Sequence, residues 1–145
     1  MNIEVKSEAE MKAFGQTMAA NLLGGDVIEL VGDVGAGKTT FAKGLAAGLG
    51  VNEDVQSPSF TISRVYEAGD KTLAHYDFYR LHDAGIMADE LHETLHNPAT
   101  ITLVEWANSV ENVLPNERII LSISAPSETT RRITISAPLR ITENL

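Results

Sequence analysis

The chain contains no cysteine, which excludes a disulfide framework and thiolate metal sites and leaves nothing that demands an oxidising compartment. No apolar run approaches the length of a membrane span, and the opening residues Met1 to Glu8 hold no apolar signal core. Basic residues are scarce: 11 Lys and Arg stand against 20 Asp and Glu, the formal charge is −9, and no basic cluster stands out. Such a chain repels a phosphate backbone, which argues against direct binding of DNA or RNA and still permits docking onto a basic partner. Repeats, low-complexity tracts and linkers are absent as well. What remains is the expectation of a soluble, cytoplasmic, single-domain protein over residues 1–145, long enough to bury a real core.

What the chain does have is concentrated between Val27 and Thr40. The aliphatic run Val27-Ile28-Glu29-Leu30-Val31 stops at a loop containing Gly32, Gly35 and Gly37, which ends in Lys38-Thr39-Thr40 at the start of an amphipathic segment. Gly32 to Thr39 fit G-x-x-x-x-G-K-[ST], the phosphate-binding P-loop, in its strand-loop-helix context. Glycines let successive backbone N–H groups turn inward around an anion where a Cβ would clash, and the opening helix adds unpaired N–H groups and its positive dipole end. Gly35, Ala36, Gly37, Lys38, Thr39 and Thr40 are therefore the expected phosphate-binding residues. Lys38 is expected to neutralise β/γ oxygens of a nucleotide, and the Thr39 hydroxyl to ligate Mg²⁺.

Periodicity places this loop in an α/β chain. Ile3 to Val5 reads as a short strand, and Ser7-x-x-Glu10 caps a helix expected over Glu8 to Leu23. The strand at Val27 carries Glu29, which a strand buried on both faces should not, so the sheet is expected to be partly open there. The helix after the loop ends at Gly50, and its internal Gly44 and Gly48 predict close packing of a small-residue face. Phe60 to Tyr66 and Thr72 to Phe78 form a predicted hairpin around Gly69-Asp70, with Leu73, His75 and Asp77 on one face of its second strand. A helix over Asp83 to Leu95, a buried strand over Ile101 to Val104 and a short helix over Asn108 to Val113 follow. Arg118 to Ser124 and Arg131 to Ala137 alternate as a terminal antiparallel hairpin. The expected fold is α/β: a P-loop NTPase-like mixed sheet with a parallel centre, antiparallel additions and helices on both faces.

An ATPase also needs an acidic group near Mg²⁺ and a group to orient the attacking water, both at the carboxyl ends of strands. Glu105 directly follows Ile-Thr-Leu-Val and is the candidate to hold Mg²⁺ directly or through water, against the plainer reading of a strand-end surface glutamate. Asp77 is the candidate to act on metal or water, against a structural salt bridge to Arg80 or Arg64. Ser57, Ser59 and Thr61 lie where switch loops meet a γ-phosphate, although Ser57-Pro58 also suits a simple turn. Asn108 and Arg131 are weaker candidates to reach the base or phosphates, and Trp106 reads more readily as core than as a cofactor stack. One rival motif, His92-Glu93-Thr94-Leu95-His96, is a literal H-E-x-x-H zinc pattern. Pro98 stops its helix just after the second histidine, and the extended metzincin form fails at Ala99 and Thr102, so zinc hydrolysis is the remote alternative.

These segments together, Gly32 to Thr40, Ser57-Pro58-Ser59-Phe60, His75-Tyr76-Asp77-Phe78-Tyr79-Arg80-Leu81, and Val104-Glu105-Trp106 with Leu114-Pro115 beyond, resemble the bacterial TsaE family, also called YjeE. The resemblance spans nearly the whole chain and departs at Ser59, where the family usually has Thr, and at Phe78, where it usually has Leu. It implies an ATPase that binds and slowly hydrolyses ATP with Mg²⁺ and associates with the TsaD and TsaB pair, which places threonylcarbamoyl on tRNA adenosine. Contact with tRNA would then be indirect, and neither membrane nor DNA would be a partner. Adenine is preferred over guanine by that resemblance and by the lack of an Asn-Lys-x-Asp element. A small-molecule kinase and a non-hydrolysing nucleotide-gated module remain as alternatives; against the first, no Arg-rich lid segment is visible.

Overall fold

A computed structural model describes residues 1–33, 35–58, 61–81 and 83–145. Strands β1 (Asn2–Val5), β2 (Val27–Val31), β3 (Ser63–Ala68), β4 (Lys71–Asp77), β5 (Thr100–Glu105), β6 (Ile119–Ser124) and β7 (Arg131–Ser136) form one sheet in the order β1-β7-β6-β2-β5-β4-β3. The pairs β6–β2, β2–β5 and β5–β4 are parallel, while β3, β7 and β1 add antiparallel edges. The mixed α/β sheet expected from the sequence is the one observed, with the β6–β7 hairpin inserted beside β2. Among the described residues no helix is long and apolar enough to cross a membrane.

Helices α1 (Glu8–Ala19) and α2 (Lys38–Leu49) cover one face, where Met18, Phe41 and Leu45 pack on Ile28, Leu30, Ile101 and Leu103. Helix α3 (Ile86–Leu95) and a 3-10 turn at Ala107–Val110 cover half of the other, over Val27, Ala74, Tyr76, Phe78 and Val104. The remaining half of that face, at β6, β7 and β1, presents Glu4, Ser124, Arg132, Thr134 and Ser136 outward. Glu29 on β2 is not at an opening in the sheet as expected: its carboxylate is buried and receives Arg118 Nε at 2.7 Å, while Arg118 Nη2 reaches Glu111 Oε2 at 2.7 Å. A buried carboxylate is tolerated in a central strand because a guanidinium satisfies it.

Local chemistry sets the element boundaries. Ser7 Oγ accepts from Glu10 N at 3.1 Å and caps α1, a contact worth about 1 kcal/mol. That helix stops at Ala19, short of the expected Leu23, because Asn21 and Leu22 bond to carbonyls three residues back and Leu23 N donates to Asp26 Oδ2. Helix α3 starts at Ile86 rather than Asp83: Asp83 Oδ1 accepts from Gly85 N at 3.1 Å, and Gly85 has φ 52°. Strand β3 begins at Ser63, after Ile62 at φ 69°, and Phe60 lies outside the described residues. A final short helix, α4 (Leu139–Thr142), follows β7 with no signal in the pattern.

The small-residue face of α2 packs as its glycines demand. A Cβ on Gly44 would stand 2.2 Å from Lys12 O, and one on Gly15 of α1 would stand 2.7 Å from Leu45 N. Gly44→Ala should therefore lower Tm by several degrees in a calorimetric scan, since overpacking of about 1–3 kcal/mol outweighs a helix-propensity gain of about 1 kcal/mol. An unchanged or higher Tm would mean that α1 and α2 separate freely.

The Glu29–Arg118–Glu111 group carries a pH signature. Hydrogen bonding to Glu29 holds the Glu111 carboxyl above the ordinary glutamate value, with burial and the Glu29 charge adding to the rise and Arg118 opposing it. The native state thus prefers the protonated acid: this contribution to stability is present below the unfolded value of 4.5 and is lost as pH rises through the raised folded value. Glu111→Gln, a permanent donor to Glu29, should raise Tm at pH 7 by about 1–2 °C. The gain should shrink to nothing below pH 4, and a gain independent of pH would reject the raised Glu111 value as its source.

Candidate functional site

The site lies where the parallel strands end. Leu30 of β2 and Asp77 of β4 both pair in register with Glu105 of β5, so the start of the glycine loop and two carboxylates reach the same edge of the sheet. Past β2 the chain passes Gly32, whose Cβ would meet Ile123 O at 2.7 Å, and turns through Gly35 (φ 83°) and Gly37 (φ 105°) into α2. Among the described residues no side chain caps α2 and no acid occupies its first turn, so the positive end of the helix has no local side-chain compensation.

Lys38 opens this helix yet is buried to 7% exposure. Its Nζ donates to Gly32 O at 2.6 Å, lies 3.9 Å from Glu105 Oε1, and sits 3.9 Å from the centroid of the Trp106 ring. Burial pulls the ammonium below the ordinary lysine value, and the charges of Glu105, Asp77 and Asp33 oppose that fall. Trp106 reaches this position through a left-handed backbone (φ 55°, ψ 54°), a conformation that costs a non-glycine residue about 1–2 kcal/mol. Its ring also touches Tyr79, with centroids 4.8 Å apart.

Both carboxylates are buried and held. Asp77 Oδ1 accepts from Tyr79 N at 2.9 Å, and Oδ2 accepts from Ser57 Oγ at 3.1 Å. Glu105 Oε2 lies 2.6 Å from His75 Nε2, with both residues nearly inaccessible. Asp77, Glu105, Lys38, Thr39, Thr40, Ser57 and Arg131 line one cavity of about 770 Å³, along with Gly35, Gly37 and Trp106. A second cavity of about 690 Å³ flanks the loop on its other side, bounded by Asp33, Gly35, Ala36, Trp106 and Asn108.

The sequence model for "Threonylcarbamoyl adenosine biosynthesis protein TsaE" matches residues 5–133. The chain belongs to the TsaE family. Curated TsaE proteins are similar along most of its length: that of Bacillus subtilis is 44% identical over 128 residues, 88% of this chain and 80% of the relative. The Treponema pallidum protein is 34% identical over 131 residues, 90% of this chain and 96% of the relative. Each carries the name tRNA threonylcarbamoyladenosine biosynthesis protein TsaE. The crystal structure of Bacillus subtilis YdiB superposes with a TM-score of 0.80 at 36% identity, over 99% of this chain and 90% of that one.

In this TsaE chain the structure brings together most, though not all, of the residues singled out by sequence. Asn108 borders the second cavity, on the other flank of the loop from Lys38. Thr61 is exposed and its hydroxyl donates to Ser63 O at 3.2 Å, while Ser59 lies outside the described residues. Arg131 ties the hairpin to the loop, with Nη1 donating to Ser127 O and Glu128 O at 3.1 Å and Nη2 3.5 Å from Gly35 O. The H-E-x-x-H histidines are exposed, His92 on α3 and His96 just past its end, where His96 Nδ1 sits 2.8 Å from His92 O. Among the described residues no three His, Cys, Asp or Glu side chains form a metal cage. Sequence reading assigned no role to His75 and no contact between Trp106 and Lys38; the signals were the alternation that set His75 on the Asp77 face and the place of both residues in the segments that carry the family resemblance.

Proposed function

We propose that this TsaE chain binds ATP with Mg²⁺ at the Gly32–Thr40 loop and hydrolyses it slowly. The hydrolysis would support threonylcarbamoyladenosine modification of tRNA through association with the TsaD–TsaB threonylcarbamoyl transferase. One observation carries most of the weight: a buried lysine at the start of α2 lies between a glycine cradle and two buried carboxylates on adjacent parallel strands. The names of the relatives support the place in tRNA modification, and the charge of −9 suits a protein that meets tRNA only through its partners.

The residues present fit a magnesium nucleotide. Left-handed Gly35 and Gly37 and the start of α2, which carries no side-chain cap, would present N–H donors and a positive helix end to phosphate oxygens. Lys38 would exchange its bond to Gly32 O for phosphate oxygens. The Thr39 hydroxyl and Glu105 would hold the metal, directly or through water, and Mg²⁺ suits a site with few protein ligands that is completed by phosphates. Bound there, the ion would neutralise charge developing on the β- and γ-oxygens. Asp77, fixed by Ser57 and Tyr79 N, would orient the water or support the metal shell, and its link to Ser57 connects that carboxylate to the loop expected to sense the γ-phosphate. Attack by that water breaks the bond between the γ-phosphorus and the bridging oxygen and releases ADP and phosphate.

Lys38→Ala should abolish the rise in Tm that ATP or ADP with Mg²⁺ gives the parent protein, a rise required of any ligand of the native state. A shift of the parent's size in the variant would remove the loop from the site. Asp77→Asn and Glu105→Gln should each lower kcat by about 100-fold or more while changing nucleotide affinity far less. Equal loss of binding and turnover would recast both acids as scaffold. Free phosphate released from ATP alone, at a rate raised by TsaD and TsaB, separates an ATPase from a kinase, which needs an acceptor, and from a module that never turns over.

A further inference from the structure

We infer that His75 is a positioning residue, which fixes one oxygen of Glu105 so that the other alone faces the phosphate cradle. The inference rests on the role proposed above for Glu105. His75 belongs to β4 and Glu105 to β5, and both point to the same face of the sheet because His75 pairs with Leu103, two residues before Glu105. Only 1% and 3% of the two side chains is exposed. His75 Nε2 and Glu105 Oε2 are 2.6 Å apart, whereas Glu105 Oε1 lies toward Lys38 Nζ at 3.9 Å. The two oxygens of one carboxylate thus face different ways, one into the core and one into the site.

Hydrogen bonding assigns the tautomer. An ionised Glu105 only accepts, so Nε2 carries the hydrogen; Nδ1, buried and with no partner among the described residues, is the bare nitrogen. A carboxylate anchored through a single oxygen keeps one rotamer, and a metal or water approaching the site meets Oε1 in a fixed direction. Groups that orient a metal-binding side chain in this way typically alter metal affinity or activity by about 10–100-fold when removed. Nothing else is needed to explain a histidine in this position: it reaches neither the cavity nor solvent.

Three variants test the assignment. His75→Gln keeps an N–H donor near the position of Nε2, His75→Leu fills the space without one, and Glu105→Ala reports on the parent function. His75→Leu should lower kcat about tenfold or more with KM for ATP within about twofold, and His75→Gln should recover most of that loss. Independently of turnover, the increase in Tm produced by ADP alone should persist in His75→Leu, while the extra increase on adding Mg²⁺ should be lost and return in His75→Gln. Should His75→Leu fail to fold, ¹⁵N-histidine NMR of the parent protein decides: a protonated Nε2 and bare Nδ1 support the assignment, and the opposite tautomer overturns it. Equal impairment of the Gln and Leu variants, or parental behaviour of His75→Leu, also overturns it. If Glu105→Ala itself keeps full turnover, the function proposed for Glu105 fails; if it is inactive while His75→Leu is normal, only the positioning role does.

Discussion

The buried ammonium of Lys38 constrains everything around it. A lysine taken out of water loses its charge or finds partners, and here it has a carbonyl, a carboxylate and an aromatic face within 4 Å. Those partners come from two distant parts of the chain: the loop after β2, and the end of β5 with the residue directly beyond it. Parallel pairing brings them level, because strands that run the same way finish at the same edge of the sheet. Without that register Glu105 and Asp77 would be ordinary strand-end acids with water as their partner. With it they oppose the desolvation that pulls the Lys38 ammonium down.

A lysine at the first position of a helix is held only as well as the helix. Helix α2 is fixed from one side by the sheet and from the other by α1, whose Gly15 closely meets the α2 backbone, while Gly44 meets that of α1 more closely still. Close approach of two backbones replaces the side-chain layer that a looser pair would need, and it leaves little room for α2 to slide along its axis. The glycines in this helix, which weaken it on propensity alone, therefore serve to seat the loop that precedes it.

Elements were legible in the sequence where local chemistry decides them. The order of β2, glycine-containing loop and α2, the Gly69–Asp70 hairpin, the faces of β4 and the small-residue contact of α2 follow from residue type and spacing, and they stand as expected. Boundaries were misjudged where a side chain competes for the backbone, as Asp26 does beyond α1 and Asp83 does before α3. Glu29 looked anomalous because its partners, Arg118 and Glu111, are distant in sequence and meet it only through the placement of β6 beside β2. The roles of His75 and Trp106 were hidden for the same reason. Spacing shows which face of a strand a residue occupies, whereas a contact with Glu105 or Lys38 depends on the pairing of strands that the pattern does not specify.

Two local penalties converge on Glu105. The residue after it, Trp106, holds a left-handed backbone, and the histidine bonded to it leaves a buried Nδ1 without a partner among the described residues, which costs about 1–3 kcal/mol. An apolar residue at position 75 would remove the Nδ1 penalty but leave the buried Glu105 Oε2 without its histidine partner. Strain and unsatisfied polarity that persist in an otherwise well-packed sheet are best explained by what they hold in place. Here the sharp turn at Trp106 brings its ring back over Lys38, and the histidine fixes the carboxylate from below. The lysine and the glutamate are thereby kept within 3.9 Å of each other, each constrained on the side away from the other. An anion arriving between the glycine amides and Lys38 would find the carboxylate already directed and only the lysine left to move.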